Sequence, residues 1–350
     1  MSIARPCALF IAFARARRNI LEGYLCSKII LRETRTLFND KFFDTIMKKL
    51  YSFVAVAVAM LLLGGCCDNR AKGVRGVKHV VMVGFDGLAG NTVEAAQMPV
   101  LKSLMEQGAW TLQARSILPS SSACNWASMY MGVGPEMHGY NTWGSRTPDF
   151  PSVTLGANGI FPTFITVLRE QYPQMNICSF YEWEVQGDLI DNKAVSFHKH
   201  IPMDSTRSRA ITDAYIACIK EQKPEFSMCI YDSPDAEGHK HGWGSDEYMS
   251  RLTELDAFLA EIIEATKEAG IYENTLFMVV SDHGGIDRGH GKTTMDEMEA
   301  PLVFFGPGVK KGYKIDVPVM RYDTAPTIAY IFGAEAPDVW RGRVIKEIFE

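Results

Sequence analysis

The chain has 350 residues, of which 47% are hydrophobic and 22% are charged, and its formal net charge is −5. This length is enough for one large domain or two modest ones. A mild negative charge gives no support to nucleic-acid binding, which needs a basic surface, so we expect no nucleic-acid partner. An anionic substrate would have to be attracted locally, and metal ions are the groups best suited to that.

The first part of the chain has the pattern of an export signal. Met47-Lys48-Lys49 begins a basic stretch, the run from 50 to 63 is nearly all apolar but short for a membrane span, and small residues follow. The ending Leu63-Gly64-Gly65-Cys66 resembles the lipobox of bacterial lipoproteins. That resemblance implies a signal peptide over 47–66 and a lipid anchor on Cys66, at a membrane facing the periplasm or the cell surface. An N-terminal anchor that is never cleaved is the alternative.

Two further stretches flank this signal. Residues 1–46 are rich in arginine and aromatic side chains without a clear period, and we expect translation to begin at Met47, so that the upstream extension is not native. Residues 67–77 are polar and contain glycine, which predicts a linker.

Four cysteines lie beyond the linker: Cys124, Cys178, Cys218 and Cys229. Their spacing is not that of metal ligands, so we expect buried thiols, and one disulfide remains an alternative.

From residue 78 onwards, short apolar runs alternate with amphipathic segments. The apolar runs predict strands buried on both faces, at 79–85, 226–231, 275–280 and 301–305. Apolar residues at helical spacing predict helices at 97–107, 208–220 and 249–269. The alternation predicts an α/β fold with a largely parallel sheet, in a single domain over 78–350.

Carboxylates and imidazoles follow three of these predicted strands. Loops at the carboxyl ends of parallel strands form the ligand sites of such sheets, so these side chains are predicted to meet. A single aspartate at such a position is more often a helix cap. Two ligands one helical turn apart can converge on one ion. Adjacent ligands can also face one ion when flanking glycines permit a sharp loop. In chain order the candidates are Asp86, then Asp235 and His239, then Asp282, His283 and His290.

A serine cluster completes the set, and the motifs together resemble a known family. Residues 119–125 read PSSSACN, and the chain closes with the stretch 322–330, YDTAPTIAY. In this order the motifs resemble the alkaline phosphatase superfamily and, within it, the type I phosphodiesterase/nucleotide pyrophosphatase family. The resemblance covers residues 78–350 and implies a three-layer α/β/α fold around a mostly parallel sheet.

The resemblance also implies a site for two divalent metal ions. One ion would be held by Asp235, His239 and His290. The other would be held by Asp86, Asp282, His283 and the oxygen of Ser122. Mixed carboxylate and imidazole ligands suit zinc, with Mn²⁺ as an alternative.

The roles around the metal ions follow from the same resemblance. Ser122 would be the nucleophile, chosen among three adjacent serines by register alone. Asn125 would donate from its side chain, and Ala123 from its backbone N–H, to the transferring group. Two divalent ions outweigh three aspartates and favour a serine alkoxide, so we expect a phospho-Ser122 intermediate that water then hydrolyses.

Within this chemistry we favour phosphodiester hydrolysis. A monoesterase needs an extra cation for a dianionic phosphate, but no arginine follows Ser122 until Arg146, and the neutral Asn125 suits a monoanionic diester. A sulfatase needs a Cys/Ser-x-Pro-x-Arg motif, which residues 124–128 lack. Phosphoryl transfer to an alcohol stays open. A non-catalytic surface binding lipoprotein is least favoured, since it would not need a nucleophile beside two ions.

The substrate is the part that the sequence determines least. The interval from His283 to His290 is short, whereas nucleotide pyrophosphatases of this family usually carry a large insertion there, so nucleotides, lipid headgroups and glycan-linked phosphates all stay open. We expect residues 140–230 to form the pocket wall. Four other histidines are predicted to be structural or peripheral, and one tryptophan, Trp126, to lie in the core or line the pocket; the histidines are His138, His198, His200 and His241.

Overall fold

A computed structural model describes residues 73–205 and 207–350. The predicted upstream extension, signal peptide and lipid anchor at Cys66 lie outside these described residues, as does most of the predicted linker. The last residues of that linker are packed: the Val74 N–H donates to the Ile331 carbonyl at 2.9 Å, and Val77 contacts the core. The folded part therefore includes residue 74, slightly before the predicted start at 78.

One eight-stranded sheet with the order β4-β3-β5-β1-β6-β7-β2-β8 forms the centre of the fold. All neighbouring pairs are parallel except β6–β7 and β7–β2, so β7 alone runs against the other strands. The predicted largely parallel α/β sheet is confirmed. The strands are β1 His79–Phe85, β2 Ala109–Arg115, β3 Ile177–Tyr181, β4 Phe197–His200, β5 Phe226–Tyr231, β6 Thr275–Val280, β7 Glu299–Phe305 and β8 Tyr313–Lys314.

Helices cover both faces of the sheet, which gives the predicted three layers. The described α-helices are α1 Pro99–Gln107, α2 Ser122–Met131, α3 Pro135–His138, α4 Phe164–Gln171, α5 Gln186–Leu189, α6 Arg209–Gln222, α7 Asp235–His241, α8 Asp246–Glu268, α9 Met295–Met298 and α10 Thr324–Phe332. Within the described part of the chain, none of them is long and apolar enough to cross a membrane.

Side chains that point to alternate faces of the sheet form the two hydrophobic cores. In β1, Val80 and Met82 point to one side, where they join a core that includes residues of α2, α4 and α10. Val81 and Val83 point to the other side, against residues of α1, α6 and α8. Successive side chains of a strand face opposite ways, so a strand covered on both faces is mostly apolar, and β1, β5 and β6 are mostly apolar and almost completely buried.

Candidate metal centre and active site

Three adjacent strands deliver the predicted ligands to one edge of the sheet. β5, β1 and β6 are neighbours, and Asp235, Asp86 and Asp282 follow their carboxyl ends within a few residues. The loop after β1 is held close to the start of α7, because the Asp235 N–H donates to the Asp86 carbonyl at 3.0 Å. Gly87 makes this approach possible: its φ is +69°, and a Cβ there would lie 2.8 Å from the Asp235 side chain.

The ligand group predicted from Asp86, Asp282 and His283 is assembled in the structure. Their ligand atoms lie within 4.8 Å of one another, and all three side chains are buried. The Nε2 atom of His283 lies 3.5 Å from Asp86 Oδ1 and 3.3 Å from Asp282 Oδ2. The other Asp282 oxygen, Oδ1, accepts from the Gly87 N–H at 3.2 Å, which fixes the carboxylate's orientation.

The second predicted group, Asp235, His239 and His290, is also brought together. The Nε2 atom of His239 lies 3.3 Å from Asp235 Oδ2 and 3.1 Å from His290 Nε2. The Asp235 Oδ1 atom is 3.6 Å from His290 Nε2. The two groups adjoin, since the His283 and His290 rings stack with centroids 3.7 Å apart and Asp235 also lies within ligand distance of His283.

Each histidine has one nitrogen engaged by the backbone. The Nδ1 atoms of His239, His283 and His290 lie 2.8 to 3.0 Å from the carbonyls of Arg288, Gly284 and Ser120. A carbonyl only accepts, so each Nδ1 carries the proton and each Nε2 presents a lone pair to the site.

The carboxylate oxygens and imidazole nitrogens that face one another in the site are therefore mostly acceptors, which is the arrangement a cation requires. Asp86 Oδ1, Asp235 Oδ1 and Asp282 Oδ2 are buried and have no hydrogen-bond partner. Ligands about 2.0–2.2 Å from a tetrahedral zinc ion are about 3.3–3.6 Å apart, which is close to the spacing within both groups. The donor atoms and their spacing in each of the two groups fit a divalent ion.

Without a metal ion, burial makes these charges costly. It raises the pKa of Asp86 and Asp235 well above the usual range, with the Asp282 carboxylate as the next cause in each case. Burial likewise raises the pKa of Asp282 to about 7. It lowers the pKa of His283 and of His290 to about 3, which keeps both imidazoles neutral and available as ligands.

The three adjacent serines have different surroundings. Ser122 is the first residue of α2, and its Oγ lies 3.1 Å from His283 Nε2, at the edge of the ligand group. The Ser120 Oγ instead donates to the Lys292 carbonyl at 2.7 Å and accepts from the Gly291 N–H. The hydroxyl of Ser121 is buried without a partner. Ser122 is therefore the serine with a direct contact to a predicted metal ligand.

The predicted donor roles of Asn125 and Ala123 need correction. The Asn125 side chain is fully buried, accepts from the Ile117 N–H at 2.6 Å and donates to the carbonyls of Ile117, Pro119 and Ser121. It holds the loop before Ser122 instead of facing the site. The Ala123 N–H donates to the Trp143 carbonyl at 3.1 Å and is also engaged.

One protein family matches most of the folded part of the chain. The profile of the type I phosphodiesterase/nucleotide pyrophosphatase family matches residues 80–302, which is more than half of the chain. The chain belongs to this family. The matched range includes Asp86, Ser122, Asp235 and all three predicted ligands that follow β6.

Individual relatives are distant. Ectonucleotide pyrophosphatase/phosphodiesterase family member 7 of Rattus norvegicus is 24% identical over 277 residues, which are 73% of this chain and 59% of the relative. A bis(5'-adenosyl)-triphosphatase of Bos taurus is 24% identical over 233 residues, 64% of this chain and 50% of the relative. The chain thus spans about half to three fifths of the length of these curated relatives.

Solved structures share the fold. Murine ectonucleotide pyrophosphatase/phosphodiesterase 5, in an inactive form with AMP, aligns with a TM-score of 0.65 at 13% identity, covering 78% of this chain and 100% of that one. A 2-O GAG sulfatase aligns with a TM-score of 0.63 at 13% identity, covering 78% of this chain and 74% of that one. The alkaline phosphatase-like fold predicted from the sequence is confirmed.

In this family member a cavity of about 710 Å³ opens beside Ser122. Its lining includes Asn141, Thr142 and Trp143, so the predicted pocket wall over 140–230 supplies part of the lining. Asp149 organises that loop, because its Oδ2 accepts from the N–H groups of Asn141 and Thr142 at 2.6 and 2.9 Å. Asn141 was missed from the sequence, where it looks like an ordinary turn residue.

Trp126 lies in the core and also touches the site. Its indole N–H donates to Asp86 Oδ2 at 2.8 Å, which leaves Asp86 Oδ1 for a metal ion. Trp126 is one helical turn after Ser122 in α2, so the same helix carries the hydroxyl and the group that orients a ligand. Its ring also packs against β1, where a Cβ on Gly84 would come within 2.7 Å of it.

The histidines and cysteines discussed next were predicted to lie outside the site, and their contacts are those of structural residues. His138 is fully buried, and the Tyr140 N–H donates to its Nδ1 at 3.0 Å, so its Nε2 carries the proton and donates to Ser128 Oγ. The rings of His198 and His200 stack on Tyr181. The four described cysteines are free and buried, as predicted.

Trp126→Phe should weaken metal binding. The substitution keeps a buried aromatic ring but removes the N–H that holds Asp86 Oδ2, so the carboxylate can turn away from its productive orientation. Groups that orient a metal ligand usually change metal affinity by about 10–100-fold. We expect a loss of this size in a calorimetric zinc titration of the metal-stripped protein.

Tyr130→Phe is the matched control for that titration. Tyr130 lies on the same helix, stacks on Trp126 with centroids 5.9 Å apart, and donates its hydroxyl proton to Gln186 Oε1 at 2.8 Å, away from the ligands. It should lose some stability but keep zinc affinity. Equal losses of affinity in both variants would mean that Trp126 acts only through packing.

Asp282→Asn should stabilise the metal-free protein at alkaline pH. The pKa of Asp282 is raised from 3.8 to about 7, so the stabilisation by its protonated form is complete below pH 3.8 and is lost as the pH rises through 7. In thermal unfolding with a chelator, the melting temperature of the variant should be a few degrees above that of the wild type at pH 8. Near pH 4 the two melting temperatures should be equal. Zinc should no longer raise its melting temperature.

The exposed Asp338 provides the control for this experiment. Asp338→Asn removes a surface charge and should leave the melting temperature unchanged at both pH values. A metal-free Asp282→Asn protein that melts below the wild type at pH 8 would show that the Asp282 carboxylate stabilises the metal-free fold.

Proposed function

We propose that this protein hydrolyses phosphodiesters, with Ser122 as the nucleophile. The observation that carries the proposal is the position of Ser122 Oγ, 3.1 Å from His283 Nε2, beside buried carboxylate oxygens that have no hydrogen-bond partner. A hydroxyl at the edge of a cation site is what covalent catalysis on an anionic ester requires. The family relationship supports phosphate-ester chemistry.

The chain's own residues would prepare the nucleophile and receive the ester. Ser122 begins α2, where the helix dipole favours a negative oxygen. When bound, two divalent ions would lower the pKa of the Ser122 hydroxyl and offset the charge of the ester. Asn141 lines the same cavity and takes the place of Asn125 as a neutral side-chain donor to the phosphoryl oxygens.

The reaction proceeds through two displacements at phosphorus. The Ser122 Oγ–P bond forms while the bond from phosphorus to the leaving alkoxide breaks, and the Ser122 proton passes to solvent. The intermediate keeps the second ester group, so Ser122 carries an alkyl phosphate. Water then attacks phosphorus and gives up a proton, the Ser122 Oγ–P bond breaks, the Ser122 oxygen takes up a proton, and the alkyl phosphate is released.

Charge favours a diester over a monoester. Among the described residues that line the cavity with Ser122, none is a lysine or arginine. The Arg146 guanidinium is engaged by Asp188 at 2.6 Å and Glu184 at 3.0 Å. Arg321 is fully buried and donates to backbone carbonyls. The described lining of the cavity therefore offers no side-chain cation for the second charge of a monoester.

A sulfatase reaction is disfavoured by the surroundings of Cys124. Sulfatases of this fold oxidise the first residue of their motif, whereas Cys124 is fully buried inside α2. Burial raises the pKa of its thiol to about 12. An inert thiol turned into the core offers no catalytic group to the cavity.

Turnover of three p-nitrophenyl compounds tests the proposal: bis-p-nitrophenyl phosphate, p-nitrophenyl phosphate and p-nitrophenyl sulfate. We expect the diester to be the best substrate, and a chelator to abolish its turnover until zinc is restored. Ser122→Ala should lower kcat by several orders of magnitude, because among the three adjacent serines only the Ser122 hydroxyl contacts a side-chain atom of the ligand group.

Ser121→Ala is the matched control and should stay within about tenfold of the wild type, since the Ser121 hydroxyl contacts no predicted ligand. Undiminished turnover in Ser122→Ala would end the mechanism. Faster hydrolysis of the monoester or of the sulfate would replace the reaction class with the corresponding alternative.

A further inference from the structure

The two predicted ligand groups differ in their exposure to solvent. The side chains of Asp86, Asp282 and His283 are at most 3% exposed, whereas 48% of the His239 side chain is exposed. A hydrogen bond to one ring nitrogen still lets an exposed imidazole pivot, and a side chain that becomes ordered only on metal binding loses rotamer entropy. His239 therefore needs a further contact that fixes the plane of its ring.

Trp243 makes that contact. Its ring meets the His239 ring almost at right angles, with 83° between the planes and 5.3 Å between the centroids. It meets the His290 ring in a similar way, at 67° and 5.9 Å. Edge-to-face packing is a favoured geometry of aromatic pairs, so one indole restricts the planes of two predicted ligands of the same group.

Glycines allow the indole to lie this close to the ligands. Helix α7 ends just before Gly242, whose φ is +108°, and the chain turns there so that Trp243 packs back against the helix. A Cβ on Gly238, in the middle of α7, would lie 2.7 Å from the Trp243 ring, and a Cβ on Gly285 would also collide with it. The indole fits because both of these positions lack a side chain.

Hydrogen bonds join Trp243 to the other two ligand loops. The indole N–H donates to the Gly87 carbonyl, in the loop after β1, at 2.9 Å. The backbone N–H donates to the Asp287 carbonyl, in the loop after β6, at 2.8 Å. The Gly87 carbonyl also accepts from the Tyr248 hydroxyl at 2.9 Å, so the loop after β1 keeps a second donor if the indole is removed.

Trp243 is placed to act on the ligands and not on the ester. It is outside the described lining of the cavity beside Ser122 and lines a separate cavity of about 790 Å³. We propose that Trp243 is a positioning residue for the metal ion of Asp235, His239 and His290, and that its ring sets the affinity of this group by holding the two imidazoles in place. The inference rests on the two-ion site of the proposed function but not on the ester that is cleaved.

Calorimetric zinc titrations of metal-stripped variants with one complete group test the proposal. Asp86→Asn leaves the group of His239 complete, and Asp235→Asn leaves the other group complete. Trp243→Leu removes the ring but keeps an apolar side chain. It should lower zinc affinity about tenfold in the Asp86→Asn background and less than about threefold in the Asp235→Asn background. Trp243→Phe keeps an aromatic ring and should recover most of the lost affinity.

Gly238→Ala tests the ring without changing Trp243. Alanine is the better helix former, so α7 itself should not be weakened, but the added Cβ would push the indole away from the imidazoles. We expect the zinc affinity of the Asp86→Asn background to fall about tenfold. Gly289→Ala is the matched control, because a Cβ on Gly289, next to His290, would have only its chain neighbours within 4 Å. It should leave the affinity unchanged.

Tyr248→Phe separates the ring contact from the hydrogen bonds at the Gly87 carbonyl. It removes one donor to that carbonyl and leaves both contacts between Trp243 and the histidines. The zinc affinity of the Asp86→Asn background should stay within about threefold. A loss as large as that of Trp243→Leu would overturn the inference, because the loop after β1 and not the indole ring would then position the group.

The other outcomes are equally distinct. Equal losses from Trp243→Leu in both backgrounds would overturn the inference, since a general loss of packing affects both groups alike. Unchanged affinity in Gly238→Ala would also overturn it. An Asp86→Asn protein that binds no zinc would overturn it together with the ligand assignment. If these affinities behave as expected but the zinc-loaded wild type cleaves no phosphodiester, the proposed function alone is refuted.

Discussion

The organisation of this protein depends on one electrostatic constraint, which is that three carboxylates and three imidazole lone pairs face each other in a largely buried space. The backbone engages the Nδ1 side of every histidine, and three carboxylate oxygens have no donor. Such a cluster is unfavourable unless protons or cations enter it. The rest of the fold offsets the unfavourable free energy of this cluster, and bound metal ions would reduce it.

The sheet makes this convergence possible. Parallel strands β5, β1 and β6 end at the same edge, and their apolar residues are buried on both faces, so the loops that follow are rigidly placed. Gly87 allows two of these loops to touch. Helix α2 then brings Ser122 to the ligands at its start and the N–H of Trp126 to Asp86 one turn later. A single helix therefore positions both the proposed nucleophile and one predicted metal ligand.

Much of this could be predicted from the sequence, for a physical reason. Apolar runs ended by aspartate locate β1, β5 and β6 together with the ligands, because buried strands and strand-end ligands leave a local pattern. Side-chain direction leaves no such pattern. Asn125 has the spacing of a transition-state donor, yet its amide is turned to carbonyls of its own loop. Trp143 and Trp183 meet only in three dimensions, so no local signal could pair them.

A zinc titration of the metal-stripped protein, followed by calorimetry with the metal content measured at saturation, tests the central claim most directly. The wild type should bind two ions per chain, and Asp86→Asn and Asp235→Asn should each bind one, since each removes a ligand from a different group. A wild type that binds no zinc, or both variants binding two ions as tightly as the wild type, would contradict the assignment of the six ligands.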